Sequence, residues 1–168
     1  YGIHNLPGVP TGELLTRSGI ICSSESLFEI KIKGMGGHSS MPQLGQDAIT
    51  IGAEMVQAFQ TIISRRIASG SGAVFSVTEF ISNGQRNVLA GETILKGDVR
   101  TRQPDDRKKI EIYLNQIASG IASAHNIEIE VSFETEFIET INHIKPTEAV
   151  LKTAKKSGLK ITNCKPMS

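Results

Sequence analysis

Apolar and polar residues alternate over residues 27–33, with Phe28, Ile30 and Ile32 set against Glu29, Lys31 and Lys33. A period of two with one polar face predicts a half-buried strand. Beyond a glycine-rich stretch the period changes. Ile49, Gly52, Val56, Phe59 and Ile63 recur at spacings of three and four, which predicts a helix over 47–66 with Asp47 as its N-cap. Gly52 on that inward face predicts a close crossing, because Gly costs about 1 kcal/mol against Ala inside a helix. Residues 73–82 are rich in β-branched and aromatic residues and predict a strand. A turn region over 83–91 follows, then a strand over 92–101 with Leu95 and Val99 on one face. Pro104 suits a first helical turn, and Asp105 and Asp106 complement its positive end. Ile110, Leu114, Ile117 and Ile121 then mark the stripe of a helix over 104–124. Ile127, Ile129, Val131 and Phe133 alternate with Glu128, Glu130, Ser132 and Glu134, giving a last strand.

The order is β-α-β-β-α-β, and every element has one apolar face. Two layers bury all of them: an α+β, ferredoxin-like sandwich with both helices on one side of a four-stranded antiparallel sheet. The outer face of the sheet, with Glu29, Lys31, Glu128 and Glu130, is expected to be wet. Residues 1–13 read as loop, and two short apolar runs around Ser18-Gly19 predict a small hairpin over 14–24. Residues 137–168 predict a short helix over 147–157 and a strand-like Leu159-Lys160-Ile161. The predicted division is therefore 1–26, 27–136 and 137–168.

Composition narrows the function. The 168 residues carry 18 Lys plus Arg and 17 Asp plus Glu, a net charge of +1, with no Trp. That balance offers neither a basic face nor a stacking platform for nucleic acid. Cys22 and Cys164 fit no paired-ligand spacing, so a reducing, cytoplasmic setting is the default. No apolar run approaches the ~18 residues of a membrane span. The start at Tyr1 rather than Met is expected for a piece of a longer chain.

Four residues are candidates for chemistry. His38 stands at the tip of Gly34-Met35-Gly36-Gly37-His38-Ser39-Ser40-Met41-Pro42, where glycines free the backbone to approach a ligand. The bland alternative is a flexible connection that happens to hold a His. His4 lies in Gly2-Ile3-His4-Asn5-Leu6-Pro7-Gly8, either an ordinary loop residue or a ligand, with Glu13 the nearest further donor. Asn87 sits in a turn, where Asn ordinarily bonds its own backbone. Arg100 ends a strand, either as a solvated charge paired with Asp98 or Asp106 or as a bidentate clamp on a carboxylate. His125, His143 and the run Glu128, Glu130 and Glu134 read as surface groups.

Taken in order, Gly2–Gly8, Gly34–Pro42 with Asp47, Asn87-Val88-Leu89 and Gly97-Asp98-Val99-Arg100-Thr101 resemble the metal-dependent N-acyl-amino-acid amidohydrolases. Hippurate hydrolase, the indoleacetyl-amino-acid hydrolases and their aminoacylase and carboxypeptidase relatives form that family. The resemblance implies a ferredoxin-like lid, or dimerisation domain, inserted into a two-metal catalytic domain. It makes 27–136 the lid, 1–26 the end of the first catalytic segment and 137–168 the start of the second. It implies that His4 ligates a divalent ion (Zn, Mn, Co or Ni), and that His38 reaches the partner subunit's site and stabilises the oxyanion. By the same resemblance Asn87 stands beside His38 as a second catalytic and substrate-binding group, and Arg100 binds the substrate carboxylate. The implied reaction is attack of a metal-activated water on the amide of an N-acyl amino acid, and the implied assembly is a homodimer through the lid.

The chain departs from the family pattern. The His-Asp-Gly-His metal motif and paired Glu residues that precede the lid are absent, as is the final metal-ligand His. Ala90 stands where the family often has Pro. The chain by itself is therefore expected to be inactive. The competing reading is a freestanding ferredoxin-like module that binds a small molecule or a partner through its sheet edge.

Overall fold

A computed structural model describes residues 1–167. The elements in chain order are β1 (Glu13–Thr16), β2 (Gly19–Cys22), β3 (Ser24–Lys33), β4 (Gly37–His38), α1 (Ala48–Thr61), β5 (Val74–Ser82), β6 (Val88–Leu89), β7 (Glu92–Thr101), α2 (Pro104–Ala124), β8 (Glu128–Phe137), β9 (Thr140–Asn142), α3 (Ile144–Lys156) and β10 (Lys160–Asn163). Two compact units divide them: Ser23–Glu139, and Tyr1–Cys22 with Thr140–Met167. Among the described residues no helix is long and apolar enough to cross a membrane.

The Ser23–Glu139 unit is an antiparallel sheet in the order β5-β7-β3-β8. With α1 between β3 and β5 and α2 between β7 and β8, that is the ferredoxin-like βαββαβ sandwich. The inner face contributes Phe28, Ile30, Ile32, Leu95 and Val99. They form one buried cluster with Ile51, Met55 and Phe59 of α1 and Ile110, Leu114 and Ala118 of α2. Each of these side chains larger than Ala contributes about 1.5–3 kcal/mol on burial. Asp47 caps α1 by accepting from the Ile49 N–H at 3.0 Å. The stripe of α1 is turned from the expected one. Ala48, Ile51 and Met55 are fully or nearly fully buried, whereas Ile49 is 39% exposed. Gly52 makes the expected crossing: a Cβ there would stand 2.9 Å from Phe80 Cζ and 3.1 Å from Thr93 Cγ2. A π turn, Ile62–Arg66, closes the helix.

The outer face is wet and laced with charge. Lys96 pairs with Glu29 at 3.1 Å, Lys31 with Glu92 at 3.0 Å and Lys33 with Glu130. Glu130 therefore has the partner that its alternation alone did not suggest. The Lys33 ammonium holds the Glu130 carboxyl below the usual range, and Glu130 raises Lys33 in return. Both ends of this unit are tied inside it. Glu139 is 6% exposed and accepts from the Thr101 hydroxyl at 3.1 Å and the Arg107 guanidinium at 3.0 Å, while Ser24 bonds Thr101 Oγ1 at 2.8 Å.

In the second unit the expected hairpin over 14–24 does not form. β1 pairs in parallel with β10, and β2 pairs antiparallel with β9. Strands of four residues gain too little from each other alone, and the chain after Glu139 supplies both partners. α3 packs against β1 and β10. The Thr162 hydroxyl and the Lys160 ammonium donate to Glu13 and lower its carboxyl.

Candidate functional site

The stretch after β3 folds back on the turn before β7. The Gly34 N–H donates to the Gly91 carbonyl at 2.9 Å, and Met35 and Gln46 exchange backbone bonds at 2.9 and 2.8 Å. The glycines serve proximity here, not unusual angles. Gly34, Gly36 and Gly37 all have ordinary φ. A Cβ on Gly34 would land on the Gln46 carbonyl, and one on Gly36 would lie 3.0 Å from the Leu89 carbonyl. The result is a two-stranded ribbon in which Gly37 opposes Leu89 and His38 opposes Val88.

That ribbon sets the backbone of Asn87 against that of the residue after His38. The Ser39 N–H donates to the Asn87 carbonyl at 3.1 Å. The Asn87 residue is exposed, and its side-chain amide has no hydrogen-bond partner among the described residues. The turn is closed instead by Gln85 and Val88, whose backbones bond reciprocally at 3.0 and 3.2 Å, and by Asn83 Oδ1, which accepts from Glu92 at 3.0 Å. Asn87 thus holds a free amide rather than the expected self-bonded one.

The His38 ring is oriented by a residue that the sequence did not single out. Ser40 presents its backbone N–H to Nδ1 at 3.1 Å and its Oγ at 2.8 Å. A backbone N–H only donates, so Nδ1 accepts and the neutral ring carries its proton on Nε2. Nε2 has no partner among the described residues, and His38 is exposed. The ribbon therefore carries one imidazole N–H and, on the turn opposite it, one carboxamide, each a donor able to serve an oxygen that gains negative charge. The spacing His-x-Ser, in which a short hydroxyl residue bonds two positions back, was the available signal.

Arg100 lies elsewhere. It stands nine residues along β7 from Gly91, roughly 30 Å at 3.3 Å per residue. Its Nε donates to Asp98 Oδ2 at 2.9 Å and its Nη2 donates to Glu25, with the Phe137 ring 5.8 Å away. The expected partner Asp98 is present, Asp106 is not one, and Glu25 is new. Arg100 therefore stands at the far end of β7 from the turn against which the His38 stretch folds. His4 lies in an exposed loop of the other unit. Among the described residues no group of three or more His, Cys, Asp or Glu could hold a metal ion.

Comparison with known proteins follows the same lines. The family profile of the M20 peptidase dimerisation domain matches residues 26–126. An N-acetyldiaminopimelate deacetylase of Leuconostoc mesenteroides is 36% identical over 135 residues, 80% of this chain and 35% of that protein. An N-acetylcysteine deacetylase of Bacillus subtilis is 32% identical over 130 residues, 77% of this chain and 34% of that protein. The solved structure of Bacillus subtilis YXEP, a dinuclear metal binding peptidase, superposes with a TM-score of 0.75 at 22% identity, covering 97% of this chain and 40% of that one. The chain thus spans about a third of the length of these curated relatives.

Proposed function

The chain belongs to the M20 peptidase dimerisation-domain family, and from that premise we propose that it is the lid-bearing part of a longer metal-dependent amidohydrolase that cleaves N-acyl amino acids. The observation that carries this reading is the His38 ring, held by Ser40 with Nε2–H free, in the ribbon whose turn carries the unpaired amide of Asn87. In this role His38 donates to the carbonyl oxygen as the tetrahedral intermediate forms, and Asn87 helps to bind and stabilise the same group. Arg100 receives the substrate carboxylate, exchanging its Glu25 contact for the ligand.

The roughly 30 Å of β7 between Arg100 and Gly91, against which the His38 stretch folds, supports a shared site: Arg100 serves one subunit's substrate while His38 and Asn87 serve the partner's. The homodimer forms through the exposed edge of β5 with α1 beside it. His4 is one ligand of a divalent ion (Zn, Mn, Co or Ni), and residues outside this chain complete the set. The free thiols of Cys22 and Cys164 suit a cytoplasmic setting. A noncatalytic module that pairs through its exposed sheet edge is the competing reading.

The test is hydrolysis of a panel of N-acyl amino acids by the full-length enzyme carrying this chain, supplied with each of the four metals. His38→Ala should lower kcat by about 10²–10³-fold with metal content unchanged. Unaltered turnover in an active His38→Ala enzyme would remove the oxyanion role, and no turnover on any substrate would favour the noncatalytic module.

A further inference from the structure

The sheet of the Ser23–Glu139 unit ends in two unlike edges, β5 and β8. Each edge strand presents backbone groups that could template another strand. β5 exposes Val74, Phe80 and Ile81 at 39%, 43% and 46% and carries a single charge, Glu79. β8 carries Glu128, Glu130, Glu134 and Glu136, all exposed, and no basic residue. Both edges carry a register break, β8 near Glu136 and β5 between Val77 and Glu79, so the charges rather than a bulge set the two apart.

The positions of the glutamates matter more than their number. Two β8 strands meeting about a two-fold axis normal to the sheet run antiparallel and oppose residues of equal parity. Centred on Ser132, Glu130 faces Glu134 and Glu128 faces Glu136. Centred on Val131, Glu128 faces Glu134; centred on Phe133, Glu130 faces Glu136; centred on Glu130, that residue faces itself. Each register places like charges directly opposite, which destabilises the pairing. Lys33 keeps Glu130 ionised while leaving the strand's free edge acidic.

We propose that the glutamates of β8 close that edge to a second copy, so that self-association runs through β5 alone and stops at two subunits. A sheet with two receptive edges would propagate without closure. The proposal rests on the reading that β5 is the pairing edge, and the test separates the two. The 168-residue chain is compared by sedimentation velocity and light scattering with E128Q/E130Q/E134Q/E136Q, with the same quadruple variant carrying T78K/I81K on β5, and with the four Glu→Asp changes. Far-UV circular dichroism monitors the fold.

The wild type should hold a dimer mass across concentration. The Gln variant should rise to at least about three times that mass with no plateau. Adding the β5 lysines should return it to a dimer, and the Asp variant should match the wild type. A folded Gln variant that keeps the wild-type mass overturns the proposal. A monomeric wild type with a dimeric Gln variant would uphold the β8 claim and refute the β5 reading. If the quadruple variant loses its dichroism signal, E134Q/E136Q, which spares the Lys33–Glu130 pair, is scored by the same rule.

Discussion

Replacing Gly97 with Ala should loosen the sheet where all its central strands meet. Gly97 opposes Phe28 on β3 and Val77 on β5. The Phe28 ring lies across it and stacks on Phe75 at 4.8 Å with 15° between planes. A Cβ at Gly97 would land on the Ser76 carbonyl and on the edge of the Phe28 ring. Phe28 is 3% exposed, so the ring cannot swing into solvent, and a backbone oxygen yields only if β5 moves away from β7. Overpacking of this kind costs about 1–3 kcal/mol, and losing the aromatic stack adds about 0.5–1.5 kcal/mol. The stiffer unfolded chain gives back about 0.4–1 kcal/mol. The net spans about 0.5–4 kcal/mol and centres on about 2 kcal/mol, which at that centre is a fall in Tm of roughly 4–8 °C for a chain of this size. Thermal unfolding followed by far-UV circular dichroism measures it. Because β5 is the displaced strand, the same variant should also dissociate more readily by sedimentation. A Tm within about 2 °C of wild type would show that the core has slack here and that the close-approach argument fails.

Three further outcomes follow from the same geometry. Asp47→Ala removes the α1 cap and should cost about 1 kcal/mol, read as a Tm lowered by about 2–4 °C; no change would mean that water caps the helix equally well. The Glu130 carboxyl titrates below its usual range because Lys33 pairs with its ionised form. Its contribution to stability is therefore present above that range and lost as pH falls through it. The wild-type Tm should drop between about pH 5 and pH 3, and E130Q should show a shallower drop; identical slopes would show that the pair does not couple to folding. Ser40→Ala keeps the backbone donor to His38 Nδ1 but loses the Oγ contact, so kcat of the full-length enzyme should fall roughly tenfold with KM little changed. A loss confined to KM would place Ser40 in binding, not in orienting the ring.

The sandwich was legible because its strands and helices each carry a clean period. Phe28, Ile30 and Ile32 are buried, and helix α2 runs over the predicted 104–124. Three kinds of feature were not legible. The pairing of β1 and β2 depends on strands 118–147 residues later in the sequence, so a local reading joined them into a hairpin. The stripe of α1 is rotated because Gly52 lets Phe80 and Thr93 approach, which leaves Ile49 half in water. Glu25 reaches Arg100 only through the β3–β7 register, across 75 positions of chain. At the candidate site the residues His38 and Asn87 were visible as types, and β4–β6 pairing explains why their backbones lie close. The role of the glycines was misjudged: Gly34 and Gly36 are needed because neighbouring carbonyls lie too close for a Cβ, at ordinary φ. Ser40 escaped notice because serine at a loop tip is ordinary until its distance to a ring nitrogen is known.

The central claim is that His38 of one subunit completes the site of another. Subunit mixing in the full-length enzyme tests it most directly, with His38→Ala in one polypeptide and His4→Ala in the other, each inactive alone. If His38 acts across the dimer, half the mixed population is heterodimer and each heterodimer holds one intact site. Activity should then return to about a quarter of wild type. If His38 serves its own subunit, no heterodimer contains a complete site, and mixing will restore nothing.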